Sequence, residues 1–373
     1  MRIAFYAPLK SPDHPVPSGD RQIARYLLRA LHMYGHEVTI ASRLRSFDRT
    51  GNAERQQRIG EVGQRVAERL VARLRRLGNA PDLWFTYHVH HKAPDLIGPV
   101  VANALGIPYV VAEASIAPKQ RDGRWSIGYA QSLAAIRAAD GVVALNPVDV
   151  AEVRSVRGDE AMSLLLPPFV DVAALAGLAQ MTRSKEPRAV PQLITVAMMR
   201  EGDKLASYRF LAKALQRVTA LPWRLVVVGD GPARHEVEAA FAAFDRDRLR
   251  FVGERGPAEI VTLLSRSDLF VWPAIGEALG IALLEAQACQ VPVIAGDCGG
   301  VSSVVAQDRS GQLVPPHDAE TFAVATTRLL LDYRLRERLS LDALAYVKER
   351  HDLPVAATFL DCFLREIVRQ RAR

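Results

Sequence analysis

The sequence predicts an α/β protein built from two doubly wound domains, each with a parallel sheet. Two observations support this fold class. Short apolar strands alternate with amphipathic helices along both halves of the chain, and the alternation lapses once, near residues 167–190. The 373 residues suffice for two domains of ~100–200 residues each. The predicted bounds are 1–170 for the first domain, 171–190 for a linker, 191–350 for the second domain and 351–373 for a final helix.

The first domain begins with the strand "RIAFYAP", a polar loop, an amphipathic helix and the strand "EVTIAS", which together predict a βαβ unit. In the helix Ile23, Leu27 and Leu31 recur at helical spacing, and Gly35 provides the stop signal. Four further strands are predicted at "LWFTY", "PYVVAE", "GVVAL" and "MSLLL", with helices between them. This order favours a parallel sheet over an antiparallel one.

The linker prediction depends on "PPFVDVAALAGLAQMTRSKEPRAVP", which has four prolines and mixed polarity. Six strands follow it: "LITVAM", "WRLVVVG", "LRFVG", "DLFVWP", "VPVIAG" and "GQLVP". The final helix has apolar residues at Val355, Phe359, Phe363 and Ile367, and we expect it to pack back on a domain, with the N-terminal domain as the candidate. Two such domains facing each other would form a cleft, and ligands of open α/β sheets bind at the carboxyl ends of strands.

Composition narrows the class of protein. A hydrophobic content of 49% with 24% charged residues is typical of a globular protein, and the net charge of +7 favours anionic partners without choosing among them. The three cysteines are too few and too scattered for a disulfide framework or a zinc site. The N-terminus resembles a first strand and not a signal peptide, and the apolar run 269–284 is broken by Pro273 and Glu277. We therefore expect a cytoplasmic protein without a transmembrane anchor.

The segment 43–76 is rich in arginine and has an apolar residue repeat at helical spacing. One interpretation is a surface helix with a solvated face. The other is a basic amphipathic element that lies on an anionic membrane and makes the protein peripheral at the inner face of the cytoplasmic membrane. The apolar repeat consists of Ile59, Val62, Val66, Leu70, Leu74 and Leu77.

Three further motifs could carry chemistry. "VVVGDGPAR" follows a strand and opens a helix, but Arg234 stands where a dinucleotide fingerprint needs glycine, which disfavours NAD. The triplet Asp245–Asp247 lies in a polar stretch that predicts a solvated turn. The "HVHH" stretch (His88, His90, His91) has no acidic partner within it, so a place at a strand end is favoured over a metal site. No metal is expected.

Polar residues at strand ends are the candidate site residues. In the first domain they follow "LWFTY" and "PYVVAE" and comprise His88, His90, Glu113, Ser115, Lys119 and Arg121. In the second domain Arg200 and Lys204 follow the first strand, where two cations beside a helix start suit a phosphate or diphosphate. An exposed turn with ordinary surface charges is the alternative for this pair.

The most informative segment is "GEALGIALLEAQACQ", which is apolar except for Glu277, Glu285 and two glutamines. A helix that is apolar on nearly all sides is buried, and a buried carboxylate needs a partner because an unpaired one costs several kcal/mol. The macrodipole contributes only ~0.3–1 kcal/mol. The segment therefore offers two carboxylates for hydroxyl groups. It also offers a helix N-terminus for phosphate, at Leu279, Gly280, Ile281 and Ala282.

These residues resemble the E-x7-E motif of glycosyltransferase family 4, the retaining enzymes with the GT-B fold. "GHEVTIAS", "LLPPFVD", "LVVVGDGP", "LRFVG", "DLFVWPAIGEALGIALLEAQACQVPVIAGDCGG" and "GQLVPPHD" occur in the family's order. The resemblance implies that Glu285 binds ribose hydroxyls and that Glu277 binds the transferred sugar. It implies that Arg200 and Lys204 clamp the diphosphate, with the amides of residues 279–282. The further donor-binding residues that it implies are Gly19, Gly229, Gly231 and Val252.

Several positions depart from the family's pattern. Ser18 precedes Gly19 where the family has a second glycine, "EALG" replaces "EGFG", and Ala274 replaces a common serine. The family's arginine lies about where Met198 stands, and a family histidine is replaced near Glu113. These departures affect the acceptor side more than donor binding.

The resemblance implies a retaining glycosyltransferase with a nucleoside-diphosphate sugar as donor, UDP or GDP being expected, and with no cofactor. The second domain would hold the donor. The first would hold the acceptor, expected to be a glycan or a lipid-linked precursor of a polysaccharide or glycolipid. Arg200, Lys204, Glu277 and Glu113 are the catalytic candidates. The alternatives are a non-catalytic sugar-nucleotide-binding protein and a nucleic-acid-binding protein, the latter disfavoured because no recognition motif or basic-aromatic surface is present.

Overall fold

A computed structural model describes residues 1–16, 18–158, 162–183 and 189–371. The chain divides into two compact units, unit 1 with Met1–Pro167 and Leu353–Arg373, and unit 2 with Pro168–Asp352. The described part contains twelve strands, one at each position that the sequence predicts. Each unit has a six-stranded sheet in which every strand pairing is parallel.

The sheet of unit 1 has the strand order β2-β1-β3-β4-β5-β6. Its strands are β1 (Arg2–Tyr6), β2 (Glu37–Ser42), β3 (Leu83–Val89), β4 (Tyr109–Ala114), β5 (Gly141–Ala144) and β6 (Ser163–Leu165). Its helices are α1 (Gly19–Met33), α2 (Ala53–Leu77), α3 (Gly98–Leu105), α4 (Ser126–Ala138) and α5 (Pro147–Arg157), with α13 (Leu353–Arg371) from the end of the chain. The strand order reverses between β1 and β3, which makes their carboxyl ends a topological switch point where a ligand can bind.

The sheet of unit 2 has the order β12-β11-β10-β7-β8-β9. Its strands are β7 (Gln192–Val196), β8 (Arg224–Val228), β9 (Leu249–Gly253), β10 (Leu269–Trp272), β11 (Val293–Gly296) and β12 (Gly311–Val314). Its helices are α6 (Val172–Thr182), α7 (Asp203–Leu215), α8 (Arg234–Ala240), α9 (Pro257–Ser265), α10 (Ile281–Ala288), α11 (Ala319–Leu331) and α12 (Tyr333–Arg350). Here the switch point lies between β7 and β10.

The predicted linker, residues 171–190, needs a correction. Most of its described part is α6, a helix of unit 2 that Asp171 caps by accepting a hydrogen bond from the amide of Ala174 at 3.0 Å. Ala179 is buried, and the hydroxyl of Thr182 lies 2.9 Å from that of Ser265 on α9. The alanine-rich stretch therefore forms a packed helix. Residues 184–188 of the predicted linker lie outside the described residues.

The last helix, α13, belongs to unit 1, where it packs against α1. Its Asp361 Oδ1 lies 2.9 Å from Nε2 of the buried His36 ring, and burial lowers the pKa of that ring. Gly141 begins β5 beneath the helix, and a Cβ at that position would lie 2.2 Å from Ile367 Cδ1. The predicted helix 351–373 thus corresponds to residues 353–371, and residues 372–373 lie outside the described part.

The basic segment forms α2, which Asn52 caps at its start and Gly78 ends in a left-handed conformation. Its inner face is buried, with Ala67, Leu70 and Val71 among the core residues. Most of the predicted apolar repeat therefore packs against unit 1, whereas Val62 and Leu77 are 36% and 56% exposed. None of the described helices is long and apolar enough to span a bilayer.

Candidate functional site

The switch point of unit 2 collects the charged residues that the sequence singles out. Arg200 and Lys204 follow β7, and Glu277 follows β10, its hydrogen-bonded neighbour. In an open α/β sheet this is the edge at which ligands bind, whatever the family. The topology alone therefore brings residues 73 positions apart to one place.

Lys204 and Glu277 are in direct contact. The Lys204 Nζ donates a hydrogen bond to Glu277 Oε2 at 2.5 Å, and both side chains are partly exposed. Trp272, the last residue of β10, points its indole Nε1 at the same oxygen from 3.4 Å. The ammonium also lies 5.5 Å from the centre of the Trp272 ring, which attracts a cation. The carboxylate is thus held by two donors.

Arg200 is the cation of this site that has no partner among the described residues. Its side chain is exposed, and among the described residues its guanidinium has neither an ion pair nor a hydrogen bond. Its main-chain carbonyl accepts from the amide of Leu205, which ties the loop to the start of α7. An arginine held at a strand end without a partner is suited to an anionic ligand.

Gly229 and Gly231 have a packing role in this unit. Both adopt positive φ values of 141° and 148°, and a Cβ on them would lie 1.9 Å from the carbonyl oxygen of Ala197 and 2.3 Å from that of Met199. They therefore let the β8–α8 loop lie directly on the loop that carries Arg200. The structure explains these glycines without a ligand. The predicted donor contact at Val252 is a half-buried position in β9.

The N-terminus of α10 is not capped by a side chain. Its N-cap is Gly280, which has a left-handed backbone with φ 63°. The first amides of a helix have no acceptor within it, so those of Ile281 and Ala282 are open to an outside acceptor. These two residues are half-buried, whereas Leu279 and Gly280 are buried. An anion is the natural ligand of such a helix end.

Glu285 lies one turn into α10 and is half-buried. Burial raises the pKa of its carboxyl to about 7. Among the described residues nothing forms a hydrogen bond or ion pair with it. The sequence predicted that this carboxylate needs a partner, and the described part of the chain does not provide one.

A second polar cluster occupies the switch point of unit 1. The His88 ring at the end of β3 places Nδ1 3.0 Å from Oδ1 of Asp20, in the first turn of α1. Its Nε2 lies 3.8 Å from Oε1 of Glu113, near the end of the neighbouring strand β4. Although burial opposes the charged ring, Glu113 and Asp20 raise the pKa of His88 to about 9. Burial also raises the pKa of Glu113.

The other acceptor-side candidates differ in how far their side chains are exposed. His90 accepts a hydrogen bond from the amide of Lys92 at 3.1 Å, and burial with the nearby charged His88 lowers its pKa well below the usual value. Ser115 is half-buried, and Lys119 and Arg121 are exposed. Gly19 begins α1, and a Cβ there would meet nothing within 4 Å. The described residues contain no group of three or more His, Cys, Asp or Glu that could hold a metal ion.

The sequence did not single out Asp20, Asp149 or Trp272. Asp149 lies in the first turn of α5, where the Asn146 side chain donates a hydrogen bond to it at 2.7 Å. Burial, with Glu113 and Glu152 nearby, raises the pKa of Asp149 to about 7. Asp20 directly follows Gly19, a predicted donor-binding residue, and this position in the sequence could have indicated that Asp20 is a site residue. Trp272 belongs to an apolar strand that predicts only core packing.

The triplet Asp245–Asp247 lies away from both switch points. It lines a surface groove of about 520 Å³ at the amino ends of β8 and β9, together with Val190, Trp223 and Arg224. The strand carboxyl ends are at the opposite edge of the sheet, so the triplet is separate from the candidate donor site. The solvated turn that the sequence predicts agrees with this placement.

Comparisons with known proteins agree with this geometry. Residues 190–332 match the sequence model of the family described as "Glycosyl transferases group 1". An alpha-D-kanosaminyltransferase of Streptomyces kanamyceticus is 34% identical over 145 residues, 39% of this chain and 38% of that enzyme. The chain therefore spans well under half the length of this relative. The residues that match the family model lie in unit 2 and include the switch point of β7 and β10.

Two solved structures show the likeness of the whole fold. A sucrose-phosphate synthase from Thermosynechococcus elongatus superposes with a TM-score of 0.74 at 20% identity, covering 98% of each chain. HepE from Anabaena, in complex with UDP and glucose, gives a TM-score of 0.66 at 16% identity, covering 97% of this chain and 99% of that one. The predicted fold class, two Rossmann-like domains as in GT-B proteins, is confirmed.

Proposed function

We propose that this protein is a retaining glycosyltransferase that moves a sugar from a nucleoside-diphosphate sugar to a hydroxyl acceptor. The observation that carries the proposal is the switch point of unit 2. There a lysine–carboxylate pair lies near an uncapped helix N-terminus, together with an arginine and a carboxylate that have no partner among the described residues. A sugar nucleotide offers a complement to each of them: a diphosphate for the cations and amides, and hydroxyl groups for the carboxylates.

The roles follow from the chemistry of each group. Arg200, Lys204 and the amides of residues 279–282 bind the diphosphate and stabilise the charge that develops as it leaves. Glu285 accepts hydrogen bonds from the ribose hydroxyls. Glu277 accepts hydrogen bonds from the hydroxyl groups of the transferred sugar after Lys204 has moved from Glu277 to the diphosphate. Val252, Gly229 and Gly231 shape the surroundings of the nucleotide.

Retention of the anomeric configuration is part of the proposal because the resemblance to family 4 implies it. In that chemistry the departing phosphate oxygen takes the proton of the acceptor hydroxyl on the same face of the sugar, so no protein nucleophile is needed. Glu113 and His88 belong to unit 1, which we assign to the acceptor. UDP is a supported nucleotide because the HepE structure holds UDP and glucose.

A lipid-linked acceptor at an anionic membrane is the finer proposal for the partner. Helix α2 presents Arg58, Arg65, Arg69, Arg73 and Arg76 on one exposed face, since 100° per residue places them within roughly a quarter of the helix circumference. Arg65, Arg69, Arg73 and Arg76 have no ion pair among the described residues. Because the apolar face is buried, the attraction would be electrostatic, ~1 kcal/mol per basic residue at an anionic leaflet.

Flotation with vesicles tests the membrane proposal. The full chain should float with vesicles that contain phosphatidylserine and should stay in the heavy fraction with purely phosphatidylcholine vesicles. Replacing Arg69, Arg73 and Arg76 by glutamine should abolish flotation, whereas replacing Arg246, Arg255 and Arg266 of unit 2 should not. Equal flotation of the two triple variants would leave α2 as an ordinary solvated helix.

A thermal-shift screen with UDP, GDP and ADP and their glucose conjugates tests the donor proposal. A ligand that binds only the folded chain raises the unfolding temperature, by an amount equivalent to ~2.7 kcal/mol at one hundred times Kd. We expect one nucleotide series to do so. Release of that nucleoside diphosphate in the presence of acceptor then separates a transferase from a protein that only binds sugar nucleotides. A chain that none of the nucleotides stabilises is not a sugar-nucleotide enzyme.

A further inference from the structure

A surface groove of about 560 Å³ lies where helix α2 begins, after the outer strand β2 of unit 1. Its volume falls within the roughly 300–1,000 Å³ of small-molecule sites. Its apolar lining residues are Leu44, Ile59 and Val62. Its polar lining residues are Thr50, Asn52, Arg55 and Arg58. A groove with both kinds of lining suits a ligand that is itself amphiphilic.

The loop before α2 satisfies its own buried carboxylate. Asp48 is 2% exposed and accepts hydrogen bonds of 2.9–3.1 Å from the amides of Thr50, Gly51 and Asn52 and from the Thr50 hydroxyl. The Nε of Arg55 lies 3.6 Å from Asp48 Oδ1, which is longer than a hydrogen bond. Because Asp48 already has four donors, the Arg55 guanidinium is left for another acceptor.

The side-chain groups of the groove that lack a partner are donors. Asn52 Oδ1 accepts from the amide of Arg55 at 2.8 Å, which caps α2 and leaves the Asn52 NH₂ group free among the described residues. Arg58 lies 3.8 Å from Glu54, and both side chains are exposed, so this pair holds the guanidinium weakly. Three donor groups, two of them charged, select an acceptor-only anion such as phosphate.

The groove is held in shape by contacts with the loop before α4. The buried Gln56 side chain donates to the carbonyl of Arg124 and accepts from the amide of Gly128, each at 2.9 Å. A Cβ at Gly51 would lie 2.5 Å from that of Arg124, so the two loops are in close contact. A preformed groove binds its ligand with little ordering cost.

The apolar lining decides which phosphate fits. Leu44 and Ile59 are half-buried, and Val62 is 36% exposed. An alkyl chain attached to the phosphate would cover these side chains, whereas a free phosphate would leave them in water. At 100° per residue, Val62 lies within the exposed arginine face of α2, to which Arg58 also belongs. The groove therefore adjoins the face that we propose for the membrane.

We infer that this groove binds the phosphate of a lipid phosphate. Asn52, Arg55 and Arg58 donate to the phosphate oxygens, and the apolar residues contact the first carbons of the chain. The inference rests on the proposed function only in identifying this lipid as the carrier of the acceptor. The site needs no nucleotide and uses none of the unit 2 cations.

The test is calorimetric titration of the full chain with octyl phosphate, a short lipid phosphate. Concentrations up to about 10 mM cover millimolar dissociation constants. Inorganic phosphate lacks the chain, and octyltrimethylammonium lacks the anion. We expect saturable binding of octyl phosphate at one site per chain, and binding at least roughly tenfold weaker with the other two probes.

Matched variants identify the groove. Arg55→Gln/Arg58→Gln should weaken octyl phosphate binding at least roughly tenfold, because it removes both charged donors. Arg137→Gln/Arg154→Gln makes the same change of net charge at exposed positions of α4 and α5 and should bind as the wild type does. Unfolding temperatures from circular dichroism show that both double variants are folded.

Three results would overturn the inference. Octyl phosphate that does not bind saturably leaves the groove without this ligand. Equal losses in the two double variants mean that only overall charge attracts the probe. Inorganic phosphate that binds as tightly as octyl phosphate indicates a site for a free anion and not for a lipid.

The outcome is separable from that of the proposed function. Lys204→Ala should bind octyl phosphate as the wild type does, and a loss there would place the probe in unit 2 and overturn the inference. If nucleotides bind unit 2 while octyl phosphate does not bind, only this inference fails. If octyl phosphate binds and no nucleoside diphosphate does, only the donor proposal fails.

Discussion

The two switch points of the molecule handle charge in different ways. In unit 1, His88 lies between two carboxylates, 3.0 Å from Asp20 and 3.8 Å from Glu113. In unit 2, Arg200 and Glu285 have no partner among the described residues, and the groups are half-buried or exposed. At one edge, therefore, the charges compensate one another within the chain. The other is built for a ligand that brings its own negative charge.

The largest effect is expected at Lys204. Lys204→Ala should weaken binding of the nucleoside diphosphate by roughly 10–150-fold, because a hydrogen bond to a charged group is worth about 1.5–3 kcal/mol. Isothermal titration calorimetry measures it. Lys213→Ala, an exposed lysine two turns further along α7, is the matched control and should bind as the wild type does. Equal losses in both variants would mean that only overall charge attracts the nucleotide.

Glu285 should make donor binding depend on pH. Its carboxyl has a pKa of about 7 in the free protein, and the ribose hydroxyls need the ionised form as acceptor. Affinity should therefore fall as pH drops below 7, approaching tenfold per unit, since one unit of pKa is 1.36 kcal/mol. Glu285→Gln should bind about tenfold more weakly at pH 8 and lose this pH dependence. A wild-type affinity that is constant from pH 8 to pH 5.5 contradicts the role.

The same substitution should stabilise the fold. A carboxyl whose pKa is raised on folding disfavours the folded state once pH exceeds its ordinary value near 4.5, and most above 7. Glu285→Gln should therefore unfold at a higher temperature than the wild type at pH 8 and at the same temperature at pH 4. Thermal unfolding followed by circular dichroism measures it. A destabilised variant at pH 8 would show that Glu285 has a structural partner.

Unit 1 should show the opposite dependence on pH. The pKa of His88 rises to about 9 on folding, so its pairing with Asp20 stabilises the protein below the ordinary histidine pKa of about 6.5. That stability is lost as pH rises through 9. Asp20→Asn should thus cost stability at pH 6 and little at pH 10, as urea unfolding can measure. Asp122→Asn, at an exposed carboxylate, should cost nothing at either pH.

The smallest effect is a gain at Glu277. This carboxylate competes with the diphosphate for Lys204, so Glu277→Gln should bind UDP roughly threefold more tightly, a few tenths of a kcal/mol. The wild type should bind UDP-glucose more tightly than UDP because Glu277 contacts the sugar, and Glu277→Gln should lose this difference in affinity. Glu201→Gln removes an exposed charge from the same loop and should change neither value. Weaker UDP binding in Glu277→Gln would show that the Lys204–Glu277 pair holds Lys204 in position for the diphosphate and does not compete with it.

The sequence predicted unit 2 better than unit 1, for a physical reason. Alternation of strands and helices predicted all twelve strands. Arg200, Lys204, Glu277 and Glu285 were visible because charge in an apolar or strand-end segment is unusual. In unit 1 the contact between Asp20 and His88 joins residues that are 68 positions apart. A local sequence pattern does not show which loop packs against which strand. The 3.8 Å contact between His88 and Glu113 likewise joins residues of two different strands.

Two other results depended on packing that the pattern does not contain. The alanine-rich stretch after Asp171 resembled a linker because its apolar residues are small, yet they pack as α6. Gly229 and Gly231 resembled a ligand loop, whereas their nearest neighbours are the carbonyls of Ala197 and Met199. In both cases small residues indicate that two parts of the structure approach closely, but the sequence does not show which parts these are.

We propose that the switch point of unit 2 binds a sugar nucleotide through Arg200 and Glu285. Calorimetric titration of the wild type and of the double variant Arg200→Ala/Glu285→Ala tests it most directly, with the nucleotide sugar that stabilises the chain. We predict saturable binding at one site per chain in the wild type and no measurable binding in the double variant, with both proteins folded. Binding of equal affinity in the two proteins would contradict the account, because the nucleotide would then occupy another site.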